Sequence, residues 1–388
     1  MNNHKGSAKI NKNPKVSIIL TSYNHERFIR HSIESVLNQT FSNFELIILD
    51  DHSSDSSWNI INEFTDKRII SVRNKTNQRL GNIRRAIEHY SSGELIAIQH
   101  SDDVWEPTKL EKQVRYMENH LEVDAVFSHA KIIDENDLPI ISTNNPYYNK
   151  FNQANRSRFD WLRFFFYNGN VLCNPSSMRR KVCFMNIEPY YGFLQLPDFS
   201  FWIQFCFKHE IHILQEELIH FRVFSDNSNW SGDIHKNRIR IQFELLRILD
   251  HYKMISTKEE LLKIFPEAIK YTSNNYIDIF YALGMIALET GNNQPTYLFG
   301  LNLLFDALND PNRSSKLKKF LGFDQKSFFE LTAKHDVFST EIIRKLQQEL
   351  ERKEQKILYY SLSKSWRFTR PLRKIFNLLE GRKNDQLS

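Results

Sequence analysis

The sequence predicts an α/β protein: a mostly parallel sheet flanked by helices, followed by a helical C-terminal region. Between position 14 and about 128, short apolar runs alternate with longer amphipathic segments, which is the pattern of successive βαβ units. From about position 236 onward the strand pattern stops and only helical periodicity continues. A parallel sheet of this kind binds ligands beyond the carboxyl ends of its strands, so the residues that follow each strand are the first candidates for function.

Each predicted element follows from its own run of residues: contiguous apolar residues for strands, and apolar residues every three or four positions for helices. Strands are predicted at 16–20, 45–49, 69–72, 95–99 and 123–128, and the helices between them at 27–37, 55–64, 80–90 and 109–119. Later helices are predicted at 238–252, 258–264, 276–290, 295–308 and 327–334, and a long polar one at 341–359. We therefore divide the chain into a disordered polar tail (1–13), a sheet domain (14–235), a helical region (236–335), and a long helix with a basic amphipathic tail (336–388).

The composition argues against several classes of protein. The chain has 388 residues, enough for two or three domains, and only 11 glycines, which disfavours a fold built on glycine-rich phosphate loops. Its net charge of +6 favours anionic partners such as nucleotides or lipid phosphates, while no basic stripe or module before the C-terminal tail indicates nucleic acid. The three cysteines form no CxxC pair, and neither a signal-peptide pattern nor a long apolar run is present. We expect a cytoplasmic protein with no disulfide framework, zinc ribbon or membrane-spanning helix.

Polar side chains follow the first two predicted strands. Thr21-Ser22-Tyr23-Asn24 comes after the first, and its hydroxyl, aromatic and amide groups suit a nucleotide base and ribose. Asp50 and Asp51 end the second, where a carboxylate can accept the imide N–H of uracil or hydrogen-bond the ribose. The alternative in both places is a strand-to-helix loop whose polar residues cap the next helix.

Asp102 and Asp103 follow the strand predicted at 95–99. Clustered carboxylates at a strand end are hard oxygen ligands, suited to Mg²⁺ or Mn²⁺, and a cation there would stabilise a departing diphosphate. The alternative is again a cap, here for the turn before Pro107. Because all three clusters end strands of one predicted parallel sheet, we expect them to converge on one edge.

A fourth candidate is Asp198, an isolated acid that opens the aromatic run Phe199-Ser200-Phe201-Trp202. Burial beside aromatic rings raises the pKa of a carboxyl group and makes it a better general base. The alternative is an N-cap aspartate in front of a core helix.

The segment VSIILTSYNHERFIRHSIESVLNQTFSNFELIILDDHSSD resembles the opening of family 2 glycosyltransferases, which have the GT-A fold. The resemblance continues through Asp102-Asp103-Val104-Trp105 and NPSSMRRKVC to Asp198, Trp202 and Arg222, and covers about residues 14–230. It implies that Thr21, Tyr23 and Asp51 hold the nucleoside and that Arg84 lies near the nucleotide. It implies further that Asp102 and Asp103 bind ribose, diphosphate and metal, and that Asp198 is the catalytic base.

Three positions depart from the family pattern. His100 stands where the acidic motif usually begins with another Asp, so metal binding would rest on Asp103 with help from Asp102. Pro197 replaces a frequent Glu before the base, and Arg79 replaces a frequent Gly ahead of Arg84.

The residues and the resemblance together predict an inverting glycosyltransferase that uses Mn²⁺ or Mg²⁺. It would move a sugar from a nucleotide diphosphate, with a UDP-sugar as the expected donor and thymidine or guanosine nucleotides as open alternatives, onto a glycan or lipid-linked acceptor in bacterial polysaccharide synthesis. Two rival functions remain: a catalytically silent nucleotide-sugar-binding scaffold, for which His100 would be a symptom, and a nucleotidyltransferase. The second would want a glycine-containing loop after the first strand, and TSYNHERF has none.

The C-terminal tail carries a separate hypothesis. Basic residues alternate with Trp366, Phe368, Leu372 and further apolar residues in the segment 360–383, a composition typical of segments that dock on anionic membranes. The ending S-W-R-x-T-x-P-L-R resembles that of bacterial transferases that build surface polysaccharides. The alternative is that this tail packs against the helical region, or that the long helix pairs with a second copy of the chain.

Overall fold

The strands form one mixed sheet in the computed structural model, which describes residues 13–79, 81–188, 192–225, 234–273 and 276–362. In chain order they are β1 (Val16–Ser22), β2 (Phe44–Asp50), β3 (Ile69–Arg73), β4 (Leu95–His100), β5 (Val104–Trp105), β6 (Val123–Ile133), β7 (Met178–Arg180) and β8 (Glu210–Arg222). Their order across the sheet is β3-β2-β1-β4-β7-β6-β8-β5.

The parallel part of the sheet brings three strand ends together. β1 lies between β2 and β4 and is parallel to both, with Ser22 opposite Asp50 and Thr21 opposite His100. β7 then runs antiparallel to β4 and β6. The predicted convergence of the first, second and fourth strands on one edge is therefore confirmed.

The helices of the sheet domain connect these strands. They are α1 (Ile29–Leu37), α2 (Ser57–Glu63), α3 (Asn82–Tyr90), α4 (Lys109–Asn119), α5 (Arg158–Asn168), α6 (Lys181–Met185) and α7 (Pro197–Cys206). All five predicted strands and the four helices between them are present. β5, β7 and β8 were not predicted, because two of them are very short and β8 is interrupted by the exposed polar residues 215–217.

Both faces of the sheet are covered, which is why the middle residues of its central strands, 18–20, 46–49 and 95–98, are all apolar. Successive residues of β1 enter two different cores. Ile18 packs in the core that includes residues of α1, α2 and α4, and Ile19 in the core that includes residues of α3 and α6.

The helical region follows β8 and contains α8 (His235–Leu249), α9 (Lys258–Ile264), α10 (Ile279–Thr290), α11 (Gln294–Asn309) and α12 (Pro311–Lys316). α10 and α11 cross closely at two glycines. A Cβ at Gly300 would lie 2.8 Å from the carbonyl oxygen of Gly284, so only glycine fits there.

The chain divides into two compact units, Met1–Asp324 and Gln325–Ser388. The first contains both the sheet and α8–α12. The second contains α13 (Gln325–Lys334) and α14 (Thr340–Leu362). The four-part division made from the sequence stays a prediction.

The described part of the second unit is an exposed pair of helices. The apolar residues Ile343, Leu346, Leu350 and Ile357 of α14 are all exposed. Among the described residues no helix is both long and apolar enough to cross a membrane. Nearly all of the tail 360–383 lies outside the described residues, as does the predicted disordered tail up to residue 12, so these two predictions stand as they were made.

Candidate active site

A cavity of about 1230 Å³ lies at the carboxyl ends of β1, β2 and β4. Six of the predicted site residues line it: Thr21, Tyr23, Asp51, Arg84, Asp102 and Asp198. We call the residues that follow the three strands the strand-end side, and Lys150, Asn170 and Asp198 the α7 side. The seventh predicted site residue, Asp103, is buried next to the cavity and does not line it.

None of the four candidate clusters serves as a helix cap. The N-cap positions of α1, α2, α4 and α7 are held by Phe28, Ser56, Thr108 and Leu196, and none of these caps uses a side-chain hydrogen bond. Asp198 lies within the first turn of α7 instead of at its N-cap. The capping explanation therefore does not account for the polar residues after β1, β2 and β4 or for Asp198.

The loop after β1 is fixed to the loop after β2. Asn24 adopts a left-handed backbone (φ 53°), which asparagine tolerates well. Its backbone N–H donates to Ser53 Oγ at 3.0 Å, and its Oδ1 accepts from the backbone N–H of Ser54 at 2.8 Å. The adjacent Tyr23 stays 42% exposed at the cavity, so its ring is available to a ligand.

The adjacent acids Asp50 and Asp51 have different roles. Asp50 is fully buried and binds inward, to the backbone N–H of Ser53 (3.0 Å) and in an ion pair with Arg73 (3.3 Å). Asp51 lines the cavity and holds the loop 74–79: Oδ1 accepts from Asn74 Nδ2 at 2.6 Å and from the backbone N–H of Gln78 at 2.8 Å.

The second oxygen of Asp51 keeps room for a ligand. Oδ2 accepts the backbone N–H of Arg79 at 2.8 Å, and a carboxylate oxygen has two lone pairs. Arg79 reaches this geometry with φ 58°, in the left-handed region that favours glycine. The arginine thus occupies a backbone conformation in which the family's frequent glycine carries no strain.

Arg84 links α3 to the segment after α6. Its Nε donates to Glu88 at 2.7 Å and its terminal nitrogen donates to the carbonyl of Ile187 at 2.8 Å, while the guanidinium lies 5.8 Å from the centre of the Phe184 ring. Arg84 lines the cavity from this position.

Three potential metal ligands cluster at the end of β4. One donor atom each of His100, Asp102 and Asp103 lies within 4.8 Å of the others. Asp103 is 1% exposed, and its Oδ2 has no hydrogen-bond partner and lies 3.7 Å from His100 Nδ1. Burial and the neighbouring Asp102 raise the pKa of Asp103 well above its usual range, and burial lowers the pKa of His100. An imidazole and two carboxylates, one of which has a buried oxygen without a hydrogen-bond partner, fit a divalent cation.

Arg222 at the end of β8 supports this cluster from behind. Its backbone N–H donates to Asp103 Oδ1 at 2.9 Å and its Nε donates to the carbonyl of Asp102 at 2.8 Å. It also forms an ion pair with Asp137. Arg222, part of the resemblance, therefore positions both aspartates and pairs its own charge.

Asp198 enters the cavity from α7. Its Oδ1 accepts the backbone N–H of Phe199 at 2.8 Å, and its Oδ2 accepts from Asn170 Nδ2 at 3.1 Å. Burial raises the pKa of Asp198, while the Phe199 hydrogen bond, the charge of Lys150 and the Asn170 hydrogen bond act in the opposite direction. This half-buried carboxylate is held in one orientation with a pKa above its ordinary value, as a general base requires.

The helical region fixes the segment that precedes Asp198. Glu244 of α8 is 1% exposed, and its carboxylate accepts the backbone N–H groups of Leu194, Gln195 and Leu196, at 2.9, 2.9 and 2.8 Å. These three donors immediately precede α7. Sequence reasoning missed Glu244, Lys150 and Asn170, because each meets Asp198 or its segment only through tertiary packing.

Comparisons with known proteins identify the family of the chain. A model of glycosyl transferase family 2 matches residues 17–183. An uncharacterized glycosyltransferase of Methanocaldococcus jannaschii is 30% identical over 238 residues, 60% of this chain and 78% of the relative. The UDP-Glc:alpha-D-GlcNAc-diphosphoundecaprenol beta-1,3-glucosyltransferase WfaP of Escherichia coli is 38% identical over 125 residues, 32% of this chain and 49% of the relative. The chain therefore spans only about half the length of this second relative.

Among solved structures, residues 1-349 of S. aureus TarS in complex with UDP-GlcNAc align with a TM-score of 0.53 at 14% identity, covering 79% of this chain and 90% of that fragment. This likeness concerns the fold, and it confirms the GT-A architecture expected from the sequence. The match to the M. jannaschii glycosyltransferase extends over 78% of that relative, and the family model covers the strand-end motifs of this chain. The chain therefore belongs to glycosyl transferase family 2.

Proposed function

We propose that this glycosyltransferase inverts configuration at the anomeric carbon, depends on a divalent metal, and moves a sugar from a UDP-sugar to an acceptor hydroxyl. The observation that carries the proposal is Asp198, an oriented carboxylate with a raised pKa in the same cavity as the strand-end residues. A single in-line displacement requires a base and nucleotide-binding groups held on different elements of one cavity.

The strand-end side would hold the nucleotide. Tyr23 offers an exposed ring to the base, and Asp51 Oδ2 keeps a lone pair for an imide N–H. Thr21 and Asp102 line the cavity next to these groups, where hydroxyl and carboxylate oxygens suit the ribose. Arg84 adds a positive charge for the phosphates.

The metal would be held by Asp103 and Asp102, with His100 as an additional ligand. When bound, such a cation neutralises negative charge on a leaving diphosphate. The chain's own contribution is to keep both aspartates fixed, through the backbone N–H and the side chain of Arg222. His100 is an imidazole in place of the family's usual carboxylate, so the site would carry less negative charge.

On the α7 side, Asp198 would take the proton from the acceptor hydroxyl as its oxygen attacks the anomeric carbon and the bond to the diphosphate breaks. Asn170 holds the carboxylate through Oδ2, and the remaining lone pairs of the two carboxylate oxygens can accept the proton of the hydroxyl. The E. coli relative is named for a UDP-Glc donor and a diphosphoundecaprenol-linked sugar acceptor. We extend to this chain the same classes, a UDP-sugar and a lipid-linked or free glycan, with bacterial polysaccharide synthesis as its setting.

The test is a donor screen followed by one substitution. UDP-, dTDP- and GDP-sugars are incubated with the protein and Mn²⁺ or Mg²⁺, and transfer or hydrolysis is measured by mass spectrometry. With the active donor, Asp198→Asn should lower turnover by about 10²–10⁴-fold, the usual contribution of a general base, and leave nucleotide affinity by calorimetry unchanged.

Asp160→Asn is the matched control, because Asp160 is an exposed acid in the first turn of another helix, α5. Turnover by Asp198→Asn above about a tenth of the wild-type value would contradict the assignment of the base. A protein that binds nucleotide sugars and turns over none of them would instead be the catalytically silent scaffold.

A further inference from the structure

Arg179 is a buried cation that lines the cavity and that the proposed mechanism does not use. It lies in β7, opposite Ile96 of β4, and is 2% exposed. The central carbon of its guanidinium lies 4.8 Å from the centre of the Phe201 ring, 4.9 Å from that of Phe184 and 5.2 Å from that of Trp202. Three aromatic rings therefore pack around the guanidinium, while Arg179 still lines the cavity.

Among the described residues, the charge of Arg179 has no counter-ion. Its Nε has no hydrogen-bond partner, and in the part of the chain that the structure describes no carboxylate forms an ion pair with it. Burial lowers the pKa of Arg179 to about 9, so the guanidinium is still protonated at neutral pH. Aromatic faces attract a cation, but they supply neither a hydrogen-bond acceptor nor a full negative charge.

Two other buried cations show how this chain normally treats such a group. Arg222, 1% exposed, is paired with Asp137 and bonded to the cluster at the end of β4. Lys109 is fully buried and donates to Gln113 at 2.9 Å, and burial lowers its pKa to about 7, so it can lose its proton. Neither solution applies to Arg179, because a guanidinium keeps its proton and no acid in the described ranges pairs with it.

The position of Arg179 relates it to the sugars rather than to the nucleotide. Phe201 and Trp202 follow Asp198 by three and four residues, so Arg179 contacts α7 about one helical turn from the base. Its partner Ile96 precedes His100 by four residues, or about 13 Å along β4, away from the strand end where the diphosphate is expected. Lys150 is a second cation of this side of the cavity, and its charge acts on Asp198.

We propose that Arg179 receives an anionic oxygen group, a carboxylate or a phosphate, that one of the two sugar substrates carries near the reacting centre. The enzyme would thus act on an acidic sugar. This inference rests on the proposed function and adds the substrate class to it. A bidentate carboxylate or phosphate matches the fork of a guanidinium and supplies the charge and the acceptors that the site lacks.

The test measures affinities by calorimetry on the full-length protein in two arms. The donor arm compares UDP, UDP-glucose and UDP-glucuronic acid. The acceptor arm, with UDP present, compares N-acetylglucosamine with its 1-phosphate and glucose with glucuronic acid. We expect the acidic member of one pair to bind at least about tenfold more tightly, as one charge-assisted contact allows, and the arm that responds identifies the source of the anion.

Arg179→Gln should abolish that preference and leave the affinity for UDP unchanged. Lys208→Gln, which removes an exposed charge just after α7, should keep the preference. If Arg179→Gln does not fold by circular dichroism, Arg179→Lys replaces it and should weaken the preference, because an ammonium group cannot bind both oxygens.

A wild-type protein with no preference in either arm would overturn the proposal, and so would a preference that survives Arg179→Gln. In both cases UDP would still bind, and the proposed function would be untouched. Failure of UDP, dTDP and GDP alike to bind would refute the proposed function and this inference together.

Discussion

The two sides of the cavity are built in different ways. The strand-end side consists of short segments after β1, β2 and β4, which the parallel sheet brings together by its register. The α7 side consists of Lys150 from a loop, Asn170 from the segment after α5 and Asp198 from the start of α7. Glu244 of α8 holds the chain just before Asp198. The sheet alone thus fixes one side, whereas the other depends on packing against the helical region. Substitutions should accordingly separate nucleotide and metal binding from proton transfer.

The largest effect is expected on the strand-end side, from Asp103→Asn. Asparagine keeps an oxygen for the backbone N–H of Arg222 but removes the charge that would hold the metal. We expect the metal dependence of nucleotide-sugar binding to disappear and turnover to fall by about 10²-fold or more, since a bound cation contributes several kcal/mol. The measurement is donor affinity and rate, each with and without Mn²⁺.

Asp134→Asn is a suitable control, because Asp134 lies beside Arg222 but belongs to a surface turn, where it accepts backbone N–H groups. If the wild-type affinity and rate were indifferent to a chelator, the metal assignment would be wrong. His100 would then belong to a metal-independent variant of the site.

The strand-end side is also the part that the sequence predicted best. Thr21, Tyr23, Asp51 and Asp102 were located from their positions after strands, because apolar runs identify the strands and a parallel sheet determines where their ends meet. Local hydrogen bonds such as that of Asn24 to Ser54 confirm how close these loops lie. The pattern did not predict that Asp50 binds inward while Asp51 lines the cavity.

On the α7 side the sequence singled out only Asp198, first as an acid in front of an aromatic run and then through the resemblance. Glu244 lies in an amphipathic helix in which nothing distinguishes a buried, bonded glutamate from a solvated one. Arg179 was part of a matched motif, but that its buried Nε has no hydrogen-bond partner becomes visible only when the chain is folded. The burial and partners of Glu244 and Arg179 are determined by long-range packing, and sequence periodicity does not predict them.

A smaller effect, confined to the α7 side, is expected from Glu244→Gln. The amide nitrogen of glutamine cannot accept the N–H groups that one carboxylate oxygen accepts now, so at least one buried donor loses its partner. We expect turnover to fall by about tenfold and the free energy of unfolding to fall by about 1–3 kcal/mol, the range for hydrogen bonds to a buried charge. Nucleotide affinity should not change.

Glu260→Gln is the matched variant, because Glu260 also accepts a backbone N–H in the helical region but is only half-buried, whereas Glu244 is fully buried. It should leave turnover and stability close to the wild type. A loss of nucleotide affinity in Glu244→Gln equal to the loss of turnover would show that the two sides are not separable.

A change of pH dependence is expected from Lys150→Met. The charge of Lys150 opposes the rise that burial imposes on the pKa of Asp198, so its removal should raise that pKa further. A base works in its deprotonated form, and activity should therefore be lost at low pH and recover as the pH rises. The acid limb of the kcat/KM profile should move to higher pH, while Lys75→Met, a change at an exposed loop residue, should leave it in place. An unmoved acid limb in Lys150→Met would contradict the coupling of these two groups.

The smallest effect is expected on the strand-end side, from Arg79→Gly. The left-handed backbone at Arg79 costs a residue with a Cβ about 1–2 kcal/mol, and glycine avoids this cost. Glycine in turn loses more chain entropy on folding, about 0.5–1 kcal/mol, so the net gain in the free energy of unfolding should be about 1 kcal/mol or less. Glycine keeps the N–H that Asp51 accepts, and UDP affinity should therefore change little. Thermal unfolding of Arg79→Gly and Arg79→Ala separates the two contributions, since alanine removes the same side chain but keeps the strain. An equal melting temperature for the two variants would mean that the loop 74–79 relaxes freely and that its hydrogen bonds to Asp51 do not enforce this backbone.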